Sequence, residues 1–591
     1  MSHAPPTTYP DPDSDPDRSR TMLAAGCTAA LSALVWAWLG LRLEYPYLFA
    51  DETIFLQHAW DSAGATGGGW RAALGSPSPL HSLLFSGVFG SEPNMLASVR
   101  VMNALFCGLS VLPAVALARR FVGAGASLAF GAFVGLNPWN CFSANFLPES
   151  LYGFVFWCLA WMMIGAWPVD AGGRKASILR PVSCGSTVAL LFFVKSHALT
   201  LVLVCAIVFV LRGVRAWRAS VTDAWWRLGE SVVFLAVVFA ALQLLGSAGD
   251  RTLSDVLFAG RYRSEAGGLL QATDASATAG HLLRQTIGTL GHLGVLYCVP
   301  FAVLATAFRA AWGRCEKESE RRADLAAFAL PALVLTLLFS AKFISDLEVR
   351  GSVGMIDRLI ERYYGHLLPL AVLMLFAAGP STRRRLAKVC AVCFALFALV
   401  VVGWPERWGF LLLAYDAPAF YWMNPFELEP RAVSTWWLVL VVGMGVAHLA
   451  AFLFWKRYGW KVFVMLALPV QATAIYGVQQ QSMRTTRDLS TLHEYAAMTR
   501  HLIESDWDRT VVVGDEFRVA AFRVMLWATP RTIVVGEGQR VPASRIPADV
   551  RWIVRLNTSE PSDGVPTETV FRGAAHGTFE IARRVETSPA R

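Results

Sequence analysis

The 591-residue chain is 55% apolar and only 16% charged, whereas soluble domains carry roughly 25% charged residues. That balance excludes a set of solvated globular domains and calls for helices that face lipid or one another. The net charge of +9 does not mark a nucleic-acid binder, because the basic residues gather in short clusters between apolar runs, as the positive-inside rule produces.

Residues 1–20, rich in Pro and Asp, read as a disordered cytoplasmic N-terminus. The apolar run Met22–Leu41 is long enough to span a bilayer and lacks a small-residue cleavage site at its end, so it reads as a retained helix. Further spans are expected near 95–118, 122–138, 148–167, 181–195, 197–212, 229–246, 285–308, 323–341, 363–379, 387–404, 434–455 and 461–478, about thirteen in all. Basic clusters mark one side of every other span: Arg119 and Arg120, Arg174 with Lys175 and Arg180, Arg212 with Arg215 and Arg218, Arg321 with Arg322, Arg383 to Arg385, and Lys456 with Arg457. These loops are cytoplasmic. The N-terminus is then inside, and an odd number of crossings puts the C-terminus outside.

The outer side carries the long connections 42–94, 247–284, 342–362 and 405–431. The first contains Tyr47-Leu48-Phe49-Ala50-Asp51-Glu52 together with Trp60, Trp70 and Phe85, and is expected to lie along the membrane surface. The ten cysteines all lie between Cys27 and Cys393, which excludes a disulfide-stapled tail. Cys390 and Cys393 have CxxC spacing inside an apolar run and read as ordinary helix residues. From Gln479 onward the pattern changes. Helices at Thr491–Ser505 and Phe517–Ala528 alternate with strands at Thr510–Val513, Arg531–Val535 and Trp552–Leu556, a small extracytoplasmic α/β domain over 479–591. The fold class is thus mainly α, a polytopic transmembrane bundle over 21–478 with that α/β domain behind it.

Three groups of polar residues could carry chemistry. Asp51 and Glu52 follow an aromatic stretch just outside the first span. A carboxylate at a dehydrated interface can act as a general base, and its neighbour can orient an acceptor or hold a metal; a solvated acidic pair at the start of a loop fits the spacing as well. Glu149, after Pro148, faces the same compartment, where it can act on substrate or simply favour a helix N-terminus. Lys195-Ser196-His197 interrupts an apolar run, and Arg358, Arg362, Tyr363, Tyr364 and His366 cluster before the tenth span, with Arg261 and Arg263 in the loop before the eighth. Singly, each cation can anchor a lipid headgroup. Together with outer carboxylates they suggest a lipid phosphate beside a base.

The order of these motifs resembles the GT-C superfamily of polyprenyl-phosphate-dependent glycosyltransferases, especially the protein-mannosyltransferase and aminoarabinose-transferase branch. The matching residues are the first helix, Tyr47 to Glu52, Pro77-Ser78-Pro79-Leu80-His81, Asn137-Pro138 with Pro148-Glu149, Lys195-Ser196, and Glu361-Arg362-Tyr363-Tyr364 leading to Pro369. The resemblance implies an inverting transfer at the extracytoplasmic face of a bacterial plasma membrane, from a polyprenyl-phosphate sugar to a hydroxyl on a glycan, lipid or protein. It implies Asp51 as base, with Glu52, Glu149 and His81 supporting the acceptor or a divalent cation (Mg or Mn). Lys195, His197, Arg358, Arg362 and Tyr363 would surround the donor phosphate. The competing readings are a lipid or saccharide transporter or flippase, which would bury charge near the midplane, and a non-catalytic membrane assembly protein.

Overall fold

The computed structural model describes residues 18–43, 50–64, 69–74, 76–88, 95–166, 174–218, 220–258, 317–349, 361–377, 455–488, 490–503, 506–514, 531–535, 541–556, 565–573 and 579–585, with further positions between 280 and 308 and between 519 and 526. The expected spans at 387–404 and 434–455, most of that at 285–308, the pair Cys390 and Cys393, and Arg261, Arg263 and Arg358 lie outside the described residues.

The helices are α1 (Arg18–Leu41), α2 (Ala50–Gly64), α3 (Gly69–Ala73), α4 (Pro79–Ser86), α5 (Met95–Leu109), α6 (Val111–Ala118), α7 (Ala124–Gly135) and α8 (Glu149–Ala160). They continue with α9 (Arg174–Val194), α10 (Leu199–Trp217), α11 (Val221–Ser247), α12 (Leu253–Phe258), α13 (Lys317–Val349), α14 (Leu368–Ala377), α15 (Trp455–Asp488) and α16 (Ser490–Ile503). Among the described residues six helical segments are long and apolar enough to cross a membrane, and four shorter apolar ones accompany them. The chain is therefore a multi-pass, mainly helical membrane protein. All ten segments coincide with expected spans.

Helix packing follows membrane rules, in which small residues let backbones approach. At the crossing of α1 and α5, a Cβ built on Gly108 would stand 2.5 Å from the Ala29 carbonyl oxygen. Polar side chains of α1 serve backbone rather than water: Ser32 Oγ and Trp36 Nε1 both donate to the Gly135 carbonyl at the end of α7, each at 2.7 Å. Asn140 Nδ2 donates to the carbonyls of Val134 and Gly135 at 3.0 and 2.9 Å. The C-terminal carbonyls of α7, orphaned by geometry, are thereby satisfied inside the bundle.

The first outer connection is more structured than a segment lying on the membrane surface. Its α2 and α4 bury Phe55, Leu56 and Phe85 in one cluster with Trp139, Phe142 and Phe146. Trp70 of α3 donates through Nε1 to the Leu245 carbonyl near the end of α11 at 2.8 Å.

In the tail, β1 (Thr510–Gly514), β2 (Arg531–Val534), β3 (Trp552–Leu556), β4 (Thr567–Gly573) and β5 (Phe579–Arg584) form a sheet of order β2-β1-β3-β5-β4. β1 pairs parallel with β2 and β3, while β3–β5 and β5–β4 are antiparallel. Both faces are covered. Val512, Val554 and Ile581 pack with Phe522 and Leu526 and with Ala496 and Ile503 of α16, whereas Val511, Val513, Ile533 and Ile553 pack with Val541, Ile546 and Val550. Burial on both faces is why β1 reads as an unbroken apolar run. The edge strand β4 and its neighbour β5 were not expected from sequence: β4 is half-exposed or exposed throughout and lacks an apolar pattern.

Candidate active site

The site is built from three breaks in the helical bundle. Asn137 ends α7; its side chain accepts the Trp139 amide at 3.0 Å, and Pro138 opens a tight 3-10 turn over Pro138–Ala144. Pro148 caps α8, which puts Glu149 in the first turn, where the helix dipole favours a carboxylate. Lys195 adopts an extended conformation, φ −159° and ψ 121°, between α9 and the turn Ser196–Ala198 that leads into α10. Glu361–Tyr363 and Gly365–Leu367 form two further 3-10 turns ahead of α14.

These breaks converge. Glu149 is fully buried, and its Oε1 accepts from Lys195 Nζ at 2.8 Å and from Arg362 Nε at 2.5 Å. Its Oε2 accepts no hydrogen bond among the described residues. Trp139 Nε1 donates to the Arg362 carbonyl at 3.0 Å, fixing the backbone that carries the guanidinium. The Tyr363 ring stacks on His197, with centroids 4.6 Å apart, and Lys195 Nζ stands 4.9 Å from the Tyr363 centroid. The structure thus brings together Glu149, Lys195, His197, Arg362 and Tyr363. Among the described residues one carboxylate thus meets two cations at the ends of apolar helices.

The remaining expected residues fall into two groups. Glu52 is buried, and its Oε1 accepts the Phe146 amide at 2.7 Å, three residues before Glu149. His81 is enclosed by Phe55, Phe85 and Phe146, at ring centroid distances of 5.9, 4.6 and 4.8 Å. Burial pushes its imidazole down to about 3, against the opposing pull of the Glu149 charge and the Leu147 carbonyl, so the ring is neutral near neutral pH. Asp51 lies in the first turn of α2, but its side chain is outside the described residues, and Arg358 is outside them altogether.

Several supporting residues were missed from sequence. Arg100 donates to the carbonyls of Leu43 at 2.5 Å and Ala144 at 3.1 Å, and Asn103 Nδ2 to the Asn145 carbonyl at 2.8 Å. They lie three apart on α5, hence on one face, and two polar residues at that spacing in an apolar helix were the available signal. The Ser78 hydroxyl donates to the carbonyl of Val194, the residue before Lys195. The Pro77-Ser78-Pro79 segment therefore ties α4 to the end of α9.

Of the residues expected to support a divalent cation, Glu149 already holds two cations on Oε1, and the Asp51 side chain lies outside the described residues. No group of three His, Cys, Asp or Glu side chains comes together among the described residues.

By sequence, no protein-family model and no curated protein matches the chain. By structure, it resembles ArnT from Cupriavidus metallidurans bound to undecaprenyl phosphate, at a TM-score of 0.51 and 16% identity, over 95% of this chain and 98% of that one. The apo form of the same protein gives a TM-score of 0.49 at 15% identity, over 94% of this chain and 97% of that one. The oligosaccharyltransferase of Archaeoglobus fulgidus tethered with an acceptor peptide gives 0.41 at 10% identity, over 89% of this chain and 68% of that one. The chain therefore shares its fold with that undecaprenyl phosphate-bound ArnT. That likeness runs along nearly the full length of both chains.

Proposed function

We propose that the protein is a membrane glycosyltransferase that takes a sugar from a polyprenyl-phosphate donor and transfers it, with inversion, to an acceptor hydroxyl at the extracytoplasmic face. The observation that carries this reading is the buried Glu149, whose Oε1 holds both Lys195 and Arg362 where the helices break. Two such cations at the ends of apolar helices suit a phosphate delivered on a lipid tail. The shared fold with an ArnT that binds undecaprenyl phosphate agrees with it.

In this mechanism the acceptor oxygen attacks the anomeric carbon while the bond from that carbon to the phosphate oxygen breaks. The hydroxyl proton passes to the Asp51 carboxylate, and the departing phosphate keeps its negative charge against Lys195 and Arg362. Glu149 orients those two cations, and the Tyr363 ring flanks Lys195. Glu52, bound to the Phe146 amide, acts as the anchor of α2, so Asp51 rather than Glu52 is the base. The sheet-bearing tail, 479–591, is read as an extracytoplasmic unit for acceptor docking or support.

The test is transfer from a synthetic polyprenyl-phosphate sugar by the full chain in proteoliposomes. Asp51→Asn is expected to abolish transfer without loss of expression or folding, whereas Glu52→Gln, which can still accept the Phe146 amide, keeps most of it. Transfer that survives both substitutions would remove the catalytic assignment. Movement of the lipid across vesicles without sugar transfer would favour a transporter instead.

A further inference from the structure

A second charged cluster occupies the opposite ends of the helices that carry Lys195 and His197. Arg212, near the end of α10, is 3% exposed. Its Nε and Nη2 donate to Asp324 Oδ2 of α13 at 2.9 and 2.6 Å, and Nη2 also reaches the Met163 carbonyl at 2.7 Å. Arg215, one turn further on, donates to the other oxygen of Asp324. On α11, Arg227 pairs with the buried Glu230 at 3.0 Å. Arg180 of α9 lies within electrostatic reach of Arg212, Arg227, Asp324 and Glu230. Its Nε donates to no group among the described residues.

Among the described residues four guanidinium groups thus share two carboxylates. Asp324 accounts for Arg212 and Arg215, and Glu230 for Arg227, which leaves Arg180 beside two like charges. Helix–helix adhesion alone does not require this surplus, because an uncompensated charge among apolar helices is costly. An anion would resolve it. The position suits one carried by lipid, since exposed Trp217, Trp225 and Trp226 flank the cluster on α10 and α11 as an interfacial belt does. Basic pockets between helices at this depth match phospholipid headgroups, and the planar guanidinium matches a phosphate through paired N–H donors.

We propose that Arg180, Arg212, Arg215 and Arg227 form a phosphate-binding site for the headgroup of an anionic phospholipid, at the end of the bundle opposite Glu149. It is independent of the donor reading: the 15 residues from Arg180 to Lys195 along α9 correspond to about 22 Å.

The experiment measures thermal unfolding of the full chain in detergent micelles with added phosphatidylglycerol, phosphatidylcholine or inorganic phosphate. Phosphatidylglycerol is expected to raise Tm and phosphatidylcholine is not. Arg180→Gln should lose more than half of that shift, and so should Arg227→Gln, whose side chain is a third exposed and tolerates replacement. Lys195→Gln should keep it. The same shift from inorganic phosphate would support the site but make free phosphate its ligand. A full shift in both arginine variants, or its loss in Lys195→Gln instead, would overturn the proposal.

Discussion

At Glu149 a single carboxylate oxygen collects an ammonium from the end of α9 and a guanidinium from the turn before α14. A buried charge is tolerable when paired and hydrogen-bonded, and strongly destabilising when one partner is removed. Glu149 is therefore as much the keystone of the three breaks as a candidate participant in chemistry. His81 sits close by with the opposite character, a neutral ring in an aromatic enclosure. Its imidazole ordinarily titrates at 6.5, and burial holds it down to about 3 in the folded chain. The unfolded chain binds this proton more readily, so the folded state keeps its full stability above pH 6.5 and loses it progressively as pH falls from there towards 3. Replacing His81 with Leu should make the acid limb of a Tm-against-pH profile shallower across that window, compared with the unmodified chain. An unchanged limb would mean that the ring is not buried neutral.

The interlocking of elements depends on close backbone approach. Gly108 meets the Ala29 carbonyl so closely that even a methyl group forces α1 and α5 apart. Gly108→Ala is expected to cost about 1–3 kcal/mol in thermal or denaturant unfolding, and the molecules that remain folded should bind donor normally. A wild-type unfolding midpoint would contradict that crossing. Elements of this kind were legible in the sequence where one local pattern decided them. The apolar runs within the described residues fell on helices, and the strand runs at 510, 531 and 552 fell on β1, β2 and β3. Lys195 and Glu149 were legible as polar interruptions of apolar runs, but their pairing was not: Glu149 and Arg362 stand 213 positions apart and meet only through helix packing. The support given by Arg100, Asn103 and Ser78 was hidden for the same reason, since each binds a backbone carbonyl that has no sequence signature. β4 escaped notice because an exposed edge strand needs no apolar face.

At the scale of the whole molecule, α9 and α10 connect two charged ends of opposite assignment. We infer from the alternation of basic clusters that the Arg212 end is cytoplasmic and the Glu149 end faces the outer compartment. The proposed chemistry depends on that polarity, because donor, base and tail must share one side. Two exposed positions test it: Arg218 just past α10, and Glu568 on the edge strand β4. In a background without native cysteines, Glu568→Cys should react with a membrane-impermeant maleimide in intact cells, and Arg218→Cys only after the membrane is opened. The reverse pattern would invert the protein and put the Glu149 cluster in the cytoplasm. Labelling of both positions from outside would break the odd parity of crossings between α10 and the tail. The tail would then no longer share a compartment with Glu149, and a role in acceptor docking would be lost even if the buried ion cluster still bound the donor phosphate.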